Sequence, residues 1–253
     1  MKTITFIGYG NMALSIAKGL KENYKLEVVG RNLAKMGEFE KEVGISMQKH
    51  LLDEFNVEGK TLLLCVKPAN VDEVASKITN KPQALYSVLA GVTLEKLQTA
   101  FQTTNVVRAM PNLAASVGES LTTLTGEMSL QKEALNIFNA IGQTRWLSSQ
   151  KEIDIATALA GSGPAYLALI AEALADGAVK QGLKRDDAMA IMRGLFKGFG
   201  ELIADEHPAL LKDKVMSPGG TTAAGYAALE NGGVRAGCID AIEQAYKKAV
   251  ELS

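Results

Sequence analysis

The chain has 253 residues, 47% of them hydrophobic and 22% charged, which supplies a core without disulfide or metal staples and suits one large domain or two smaller ones. Its 27 Lys and Arg nearly cancel its 28 Asp and Glu, so no electrostatic footprint points to nucleic acid or an anionic membrane. The opening apolar run breaks at Gly8 with no small-residue cleavage site behind it, and no unbroken apolar run reaches about 18 residues, so neither a signal peptide nor a transmembrane helix is expected.

From the N-terminus, "TITFIG" (3–8), "LEVVG" (26–30), "TLLLCV" (61–66), "ALYSVL" (84–89) and "NVVRAM" (105–110) are the continuous apolar runs of buried parallel strands. Helical patterns such as "NMALSIAKGLKEN" and "NVDEVASKIT" lie between them. "SLTTLT" and "TRWL" read as two further strands joined by the helical "SLQKEALNIFNAIG". Strand and helix in alternation imply an α/β, doubly wound, Rossmann-type sheet. After Leu147 the strand pattern stops. Ser149 and Glu152 form a capping-box signature, and the remaining segments are helical, with Ile191, Met192, Leu195, Phe196, Phe199, Leu202 and Ile203 at helical spacing. Gly161, Ser162, Gly163 and Pro164 interrupt this pattern and predict a kink or junction. The reading is therefore a dinucleotide-binding domain over residues 1–150 and an all-α domain over 151–253. Apolar residues on several faces of the later helices suit either a second subunit or a monomeric bundle. Cys65 and Cys238 sit in apolar segments with no second Cys or His nearby, which predicts buried free thiols, no metal site and a cytoplasmic protein.

Chemistry enters at two places. "FIGYGNMA" sets Gly8, Gly10 and Ala13 between the first strand and first helix. Gly8 serves a tight turn, Gly10 close approach of a pyrophosphate, and Ala13 close packing of helix on strand. The second strand ends in Gly30, Arg31 and Asn32, where NAD sites carry a carboxylate. Arginine there pairs with a 2′-phosphate and favours NADPH, with NADH possible; a solvated surface arginine is the plain alternative. Lys67 and Pro68 fall where a parallel strand delivers its loop to the ligand edge, although a surface lysine fits equally. The second place is "KVMSPGGTTAAGYAALEN" (214–231). Pro218 stiffens the approach, and Gly219 and Gly220 clear space before a helix whose first N–H groups suit a small carboxylate. The alternative is a turn with Ser217 or Thr221 capping the helix.

Together, "FIGYGNMA", "VKP" (66–68), "LAGVTLEKL" (89–97), "RAMPN" (108–112), "LAGSGPAY" (159–166) and "LKDKVMSPGGTTAAGYAALE" (211–230) resemble the Δ1-pyrroline-5-carboxylate reductases, along the whole chain. The resemblance implies NAD(P)H-dependent reduction of a cyclic imine to L-proline. It also implies a helical domain that interlocks with a second copy, in dimers that often build decamers. Carried over by position, it implies cofactor contacts at Ile7, Gly8, Gly10, Asn11, Met12, Arg31, Val66, Lys67, Pro68, Ala90 and Gly91. Substrate contacts fall on Val215, Met216, Ser217, Gly219, Gly220, Thr221 and Thr222, with Thr222 hydrogen bonded to the ring nitrogen. Two departures stand out: Leu113 and Ala114 follow "MPN" in place of Thr-Pro, and "MQKHLLDEF" supplies His50 where relatives carry an adenosine-side Asn. On the residues alone two other readings stay open. A β-hydroxyacid-type dehydrogenase would have Lys180 as its helix lysine but would leave "SPGGTT" unexplained. A nucleotide sensor without catalysis would have no need of that second helix start.

Overall fold

A computed structural model of the chain describes residues 1–53 and 55–251. Contacts divide it into two units: Met1–Ser162 joined by the chain end from Ala245, and Gly163–Gln244.

The first unit is built on eight strands in the order β10-β9-β8-β7-β5-β1-β2-β3. These are β1 (Thr3–Ile7), β2 (Lys25–Gly30), β3 (Gln48–Leu51), β5 (Thr61–Leu64), β7 (Ala84–Ser87), β8 (Val106–Met110), β9 (Ser120–Gly126) and β10 (Gly142–Trp146). All neighbours are parallel except β8 and β9. The apolar runs are continuous because both faces of the sheet are covered. Ile4, Phe6, Leu63, Tyr86 and Val107 pack with α1 (Asn11–Leu20), α2 (Leu33–Val43) and α5 (Gln131–Phe138). Ile7, Leu62, Leu64, Leu85 and Val106 pack on the other side with α3 (Val71–Lys77) and α4 (Leu94–Phe101).

Three strands carry no sequence signal. β3 is an edge strand with polar, mostly exposed residues, held by backbone pairing with β2 from Glu27↔Gln48 to Gly30↔Leu51. β4 (Phe55–Asn56) and β6 (Ile78–Thr79) form a two-residue pair too short for any periodicity. The strands at 61–66 and 84–89 also end two residues early, at Leu64 and Ser87.

Helix α6 (Gln150–Ala156) is pinned to the sheet by Arg108, which is 2% exposed on β8. Its Nη2 donates to Asp154 at 3.0 Å and its Nη1 to Gln150 Oε1 at 3.2 Å. Gln150 also accepts from the Leu94 N–H and donates to Glu95, whose carboxyl it holds below the ordinary range. At the start of α6, Ser149 accepts from the Glu152 N–H as expected. Glu152, however, reaches back to the N–H and hydroxyl of Ser148 rather than to Ser149, so the box closes one residue early. The predicted interruption is a π-helical turn at Thr157–Gly161, in which the Ser162 N–H reaches the Thr157 carbonyl. Asn112 Nδ2 donates to the Ala160 carbonyl of this turn at 3.1 Å.

The second unit contains α7 (Gly163–Lys180), α8 (Arg185–Asp205), α9 (Pro208–Val215), α10 (Thr221–Asn231) and most of α11 (Val234–Glu251). Its apolar residues are largely uncovered. Ile191, Leu195, Phe199, Leu202 and Ile203 of α8 are 61, 56, 45, 56 and 38% exposed, and Leu167, Leu169 and Leu174 of α7 are exposed as well. Cys238 on α11 is exposed, which corrects the expectation of a buried thiol there, while Cys65 is half-buried as a residue with its thiol enclosed. By length and composition alone, the 31-residue helical run Gln150–Lys180, which contains an 18-residue window of mean hydropathy 1.4, is long and apolar enough to cross a membrane. At the end of α10, Glu230 accepts from Arg235 and Tyr226, which holds its carboxyl down at about 2, and Lys212 lies 5.3 Å from the Tyr226 ring centroid.

Replacing Arg108 by Ala strands the Asp154 carboxylate in a partly buried site. The expected loss is about 3–5 kcal/mol of stability in urea unfolding. The Glu230 pair stabilises fully above the unfolded carboxylate pKa, and its contribution disappears as pH falls through about 2. A carboxyl NMR titration of Arg235→Gln should move the Glu230 midpoint up toward the ordinary range.

Candidate functional site

β1 lies between β5 and β2, and the chain passes from β1 to β2 on one side and later returns to β5 on the other. The loops that follow β1 and β5 diverge at this point and open a crevice at the carboxyl ends of the strands. A cavity of about 650 Å³ fills it. Ile7, Gly8, Tyr9 and Gly10 line it from β1, Val29, Gly30 and Arg31 from β2, and Cys65, Val66 and Lys67 from β5.

Gly8 makes this turn with φ +107°, and its N–H donates to the Val29 carbonyl at 3.1 Å. A Cβ at Gly8 would stand 2.6 Å from the Cys65 carbonyl oxygen, so the position excludes every other residue. Gly10 is the N-cap of α1, with no side-chain cap and no atom within 4 Å of a would-be Cβ. The first intrahelical bond runs from the Leu14 N–H to the Gly10 carbonyl, so the N–H groups at the start of α1 have no intrahelical acceptor. An open approach at Gly10 onto free helix N–H groups fits a pyrophosphate. Gly30 lies under the ring of Tyr9, 2.3 Å from a would-be Cβ, which keeps that end of β2 bare. Asn32 is structural: it caps α2 by accepting from the Lys35 N–H at 3.0 Å. Burial pushes the Cys65 thiol pKa up, so it stays protonated and is no nucleophile.

The other expected cofactor positions, Pro68, Ala90, Gly91, Asn11 and Met12, do not line this cavity. Pro68 opens a short 3₁₀ turn directly after Lys67. Ala90 and Gly91 form the turn after β7, next to β5 in the sheet, with Gly91 at φ +68°. Asn11 and Met12 open α1 and line a second cavity of about 290 Å³ with Leu113 and Ser116. Leu113 begins a 3₁₀ turn that Asn112 caps. His50 lies against Phe55, tilted by 41° with ring centroids 4.9 Å apart, and His207 caps α9 by accepting from the Ala209 N–H. Sequence reading missed Lys35, Asn70 and Glu73 in the crevice. Glu73 lies in the first turn of α3, where an acidic residue reads simply as a complement to the helix dipole.

The expected substrate positions form a continuous segment in the second unit. Val215 ends α9, Met216 follows, and Ser217–Gly220 makes a turn closed by the Gly220 N–H on the Ser217 carbonyl at 3.0 Å. Gly219, at φ +68°, supplies the left-handed third position and Pro218 the second, a type II turn. Gly220 is the N-cap of α10 and no side chain caps it. Neither Ser217 nor Thr221 therefore takes the capping role that the sequence left open. Ser217, Thr221 and Thr222 are exposed, and the first N–H groups of α10 stay available.

A Rossmann-type crevice with an uncapped glycine-rich helix start, followed by an all-helical region, defines a nicotinamide-dependent oxidoreductase layout. Comparison with known proteins agrees. Residues 3–91 match the family model "NADP oxidoreductase coenzyme F420-dependent", and residues 150–252 match "Pyrroline-5-carboxylate reductase dimerisation". The chain is 39% identical over 266 residues to the pyrroline-5-carboxylate reductase of Glycine max, covering 99% of this chain and 96% of that one. It is 42% identical over 202 residues to that of Synechocystis, covering 76% and 75%. The solved pyrroline-5-carboxylate reductase of Coxiella burnetii superposes with TM-score 0.84 at 32% identity, covering 99% of this chain and 98% of that one. An NADP-bound pyrroline carboxylate reductase structure from Plasmodium falciparum gives TM-score 0.80 at 27% identity, with the same coverage. The chain belongs to the pyrroline-5-carboxylate reductase family.

The two glycines of the crevice separate fold from binding. Gly8→Ala should lower stability by about 1–3 kcal/mol through its left-handed φ and the Cys65 clash. Gly10→Val should leave the thermal midpoint close to wild type while weakening dinucleotide binding at least about tenfold, read by calorimetry.

Proposed function

We propose that the protein reduces the C=N bond of 1-pyrroline-5-carboxylate to L-proline, the final step of proline biosynthesis, using NADPH in preference to NADH. The observation that carries this reading is the pair of uncapped helix starts, α1 at the crevice and α10 behind its type II turn. Each offers backbone N–H groups to an anion, and they differ in setting as a dinucleotide and a small imino acid require.

Gly8, Gly10 and the start of α1, with Asn11 and Met12, hold the pyrophosphate. Arg31 takes the 2′-phosphate, and Ile7, Val66, Lys67, Pro68, Ala90 and Gly91 border the remainder of the cofactor. When bound, the cofactor supplies the hydride. The Ser217–Gly220 turn and the start of α10 bind the substrate carboxylate, with Val215, Met216 and Thr221 around it. Thr222 accepts from the N–H of the protonated ring nitrogen, orienting the imine and favouring its electrophilic form. No strong protein acid is needed, because the imine carries its proton on arrival. The functional division falls at residue 150, with residues 1–150 for the nucleotide and 151–253 for substrate and self-association.

The exposed faces of α7 and α8 support association of the helical region, as dimers that assemble further to decamers. Such association also accounts for the apolar run Gln150–Lys180 without a membrane. A nearly neutral chain with no nucleic-acid footprint fits a cytoplasmic enzyme.

NADPH oxidation by the purified protein should require pyrroline-5-carboxylate and yield proline in equal amount. Oxidation that ignores the imine, or binding of NADPH without turnover, would overturn the assignment. Thr222→Ala should lower turnover roughly 10²-fold and leave NADPH affinity unchanged; an equal fall in cofactor affinity would refute the division of labour between the two helix starts.

A further inference from the structure

The positive charge assigned to the 2′-phosphate is already engaged. Arg31 Nη1 lies 3.1 Å from Glu73 Oε1 and 3.3 Å from Oε2, and all three groups of this corner, Arg31, Lys35 and Glu73, line the same crevice. We propose that Glu73 is a specificity-determining residue, an intrinsic counter-ion that competes with the 2′-phosphate for Arg31 and so moderates the preference for NADPH over NADH. This inference rests on the assignment of Arg31 to the 2′-phosphate.

The geometry fits a pair made to open. The Arg31 and Glu73 side chains are 58 and 38% exposed, so water screens their attraction and the contact shifts an equilibrium by only a few-fold. Glu73 comes from α3 and Arg31 from the end of β2, so parting them moves no secondary structure. A second cation already stands beside the Glu73 carboxylate. Lys77, one turn along α3, lies 3.7 Å from Glu73 Oε1 and is held 3.0 Å from Asp53. A phosphate dianion is a stronger partner for a guanidinium than one carboxylate, and it repels a carboxylate left beside it. A ribose 2′-hydroxyl does neither. It can instead donate to Glu73, the role a carboxylate serves in NAD sites. The same residue thus opposes the phosphate and accepts the hydroxyl.

The test separates the adenosine end from catalysis by calorimetric binding of 2′,5′-ADP and 5′-AMP to the whole protein. In wild type, 2′,5′-ADP should bind more tightly, and Arg31→Ala should remove that advantage. Loss of neither the advantage nor its magnitude in Arg31→Ala would overturn the Arg31 assignment, and Glu73 with it. Given that assignment, Glu73→Gln should raise the affinity ratio of 2′,5′-ADP to 5′-AMP about 3–10-fold. An unchanged or lower ratio in Glu73→Gln, with Arg31→Ala behaving as stated, would overturn the role of Glu73 alone. In the Arg31→Ala background the Glu73→Gln gain should shrink; a gain of full size there would replace competition for Arg31 by plain charge repulsion. Glu73 is exposed enough that both variants should melt with wild-type midpoints, which a thermal scan checks.

Discussion

The nucleotide unit depends on one close approach: Gly8 turning against the Cys65 carbonyl at φ +107°. β1 and β5 are parallel neighbours, and the loops that leave them must diverge. The turn at Gly8 sends α1 to one face of the sheet while the Lys67–Pro68 turn sends α3 to the other, and the crevice is the space between. Every polar group of the site is placed by that divergence. The free N–H groups of α1 are aimed by the turn before them, Arg31 is carried there by the neighbouring strand, and Glu73 arrives on α3. A side chain at Gly8 would therefore disturb the position of the whole arrangement, whereas one at Gly10 would occupy only the space a ligand needs.

A second constraint operates at the other end of the sheet. Arg108, buried on β8, is the point to which α6 is attached through Asp154 and Gln150. Gln150 passes the connection to Leu94 and Glu95, which follow the Ala90–Gly91 turn. The chain segment where the family model for the helical region begins is thus tied by hydrogen bonds to the first turn of α4. The π-helical turn at Thr157–Gly161 follows directly, steadied by Asn112. Widening a helix in this way costs hydrogen-bond geometry, and such turns persist where a neighbouring group compensates.

The helical unit raises a different balance. Its helices expose long apolar stripes that water penalises, while only Ala175, Ala188 and Leu211 are buried within them. Sequence periodicity alone fits a monomeric bundle as well as an associating one, because it reports that a face is apolar and not what covers it. The structure shows that the chain's own helices leave these faces open, and the family model that matches this region is named for dimerisation. The SPGGTT segment lies in the same unit.

The sequence by itself determined the local features. Strands buried on both faces announce themselves as apolar runs, Gly-x-Gly before a helix marks the turn, and Pro218, Gly219 and Gly220 mark a stiffened, open approach to a helix start, whose type II geometry the structure supplied. Family motifs extended this to the substrate segment. Tertiary structure alone decided what depends on partners distant in the chain. β3 forms because β2 offers an edge, although its own residues are polar. Ser149 caps α6, but the returning Glu152 carboxylate takes the N–H and hydroxyl of Ser148 rather than the N–H of Ser149. Arg31 meets Glu73, 42 residues away, and a motif centred on one strand end cannot report a carboxylate brought in by a later helix. Local pattern fixes which elements form, because burial and backbone conformation are decided within a few residues. Charge pairing across the crevice is decided by topology, and so became visible only in the fold.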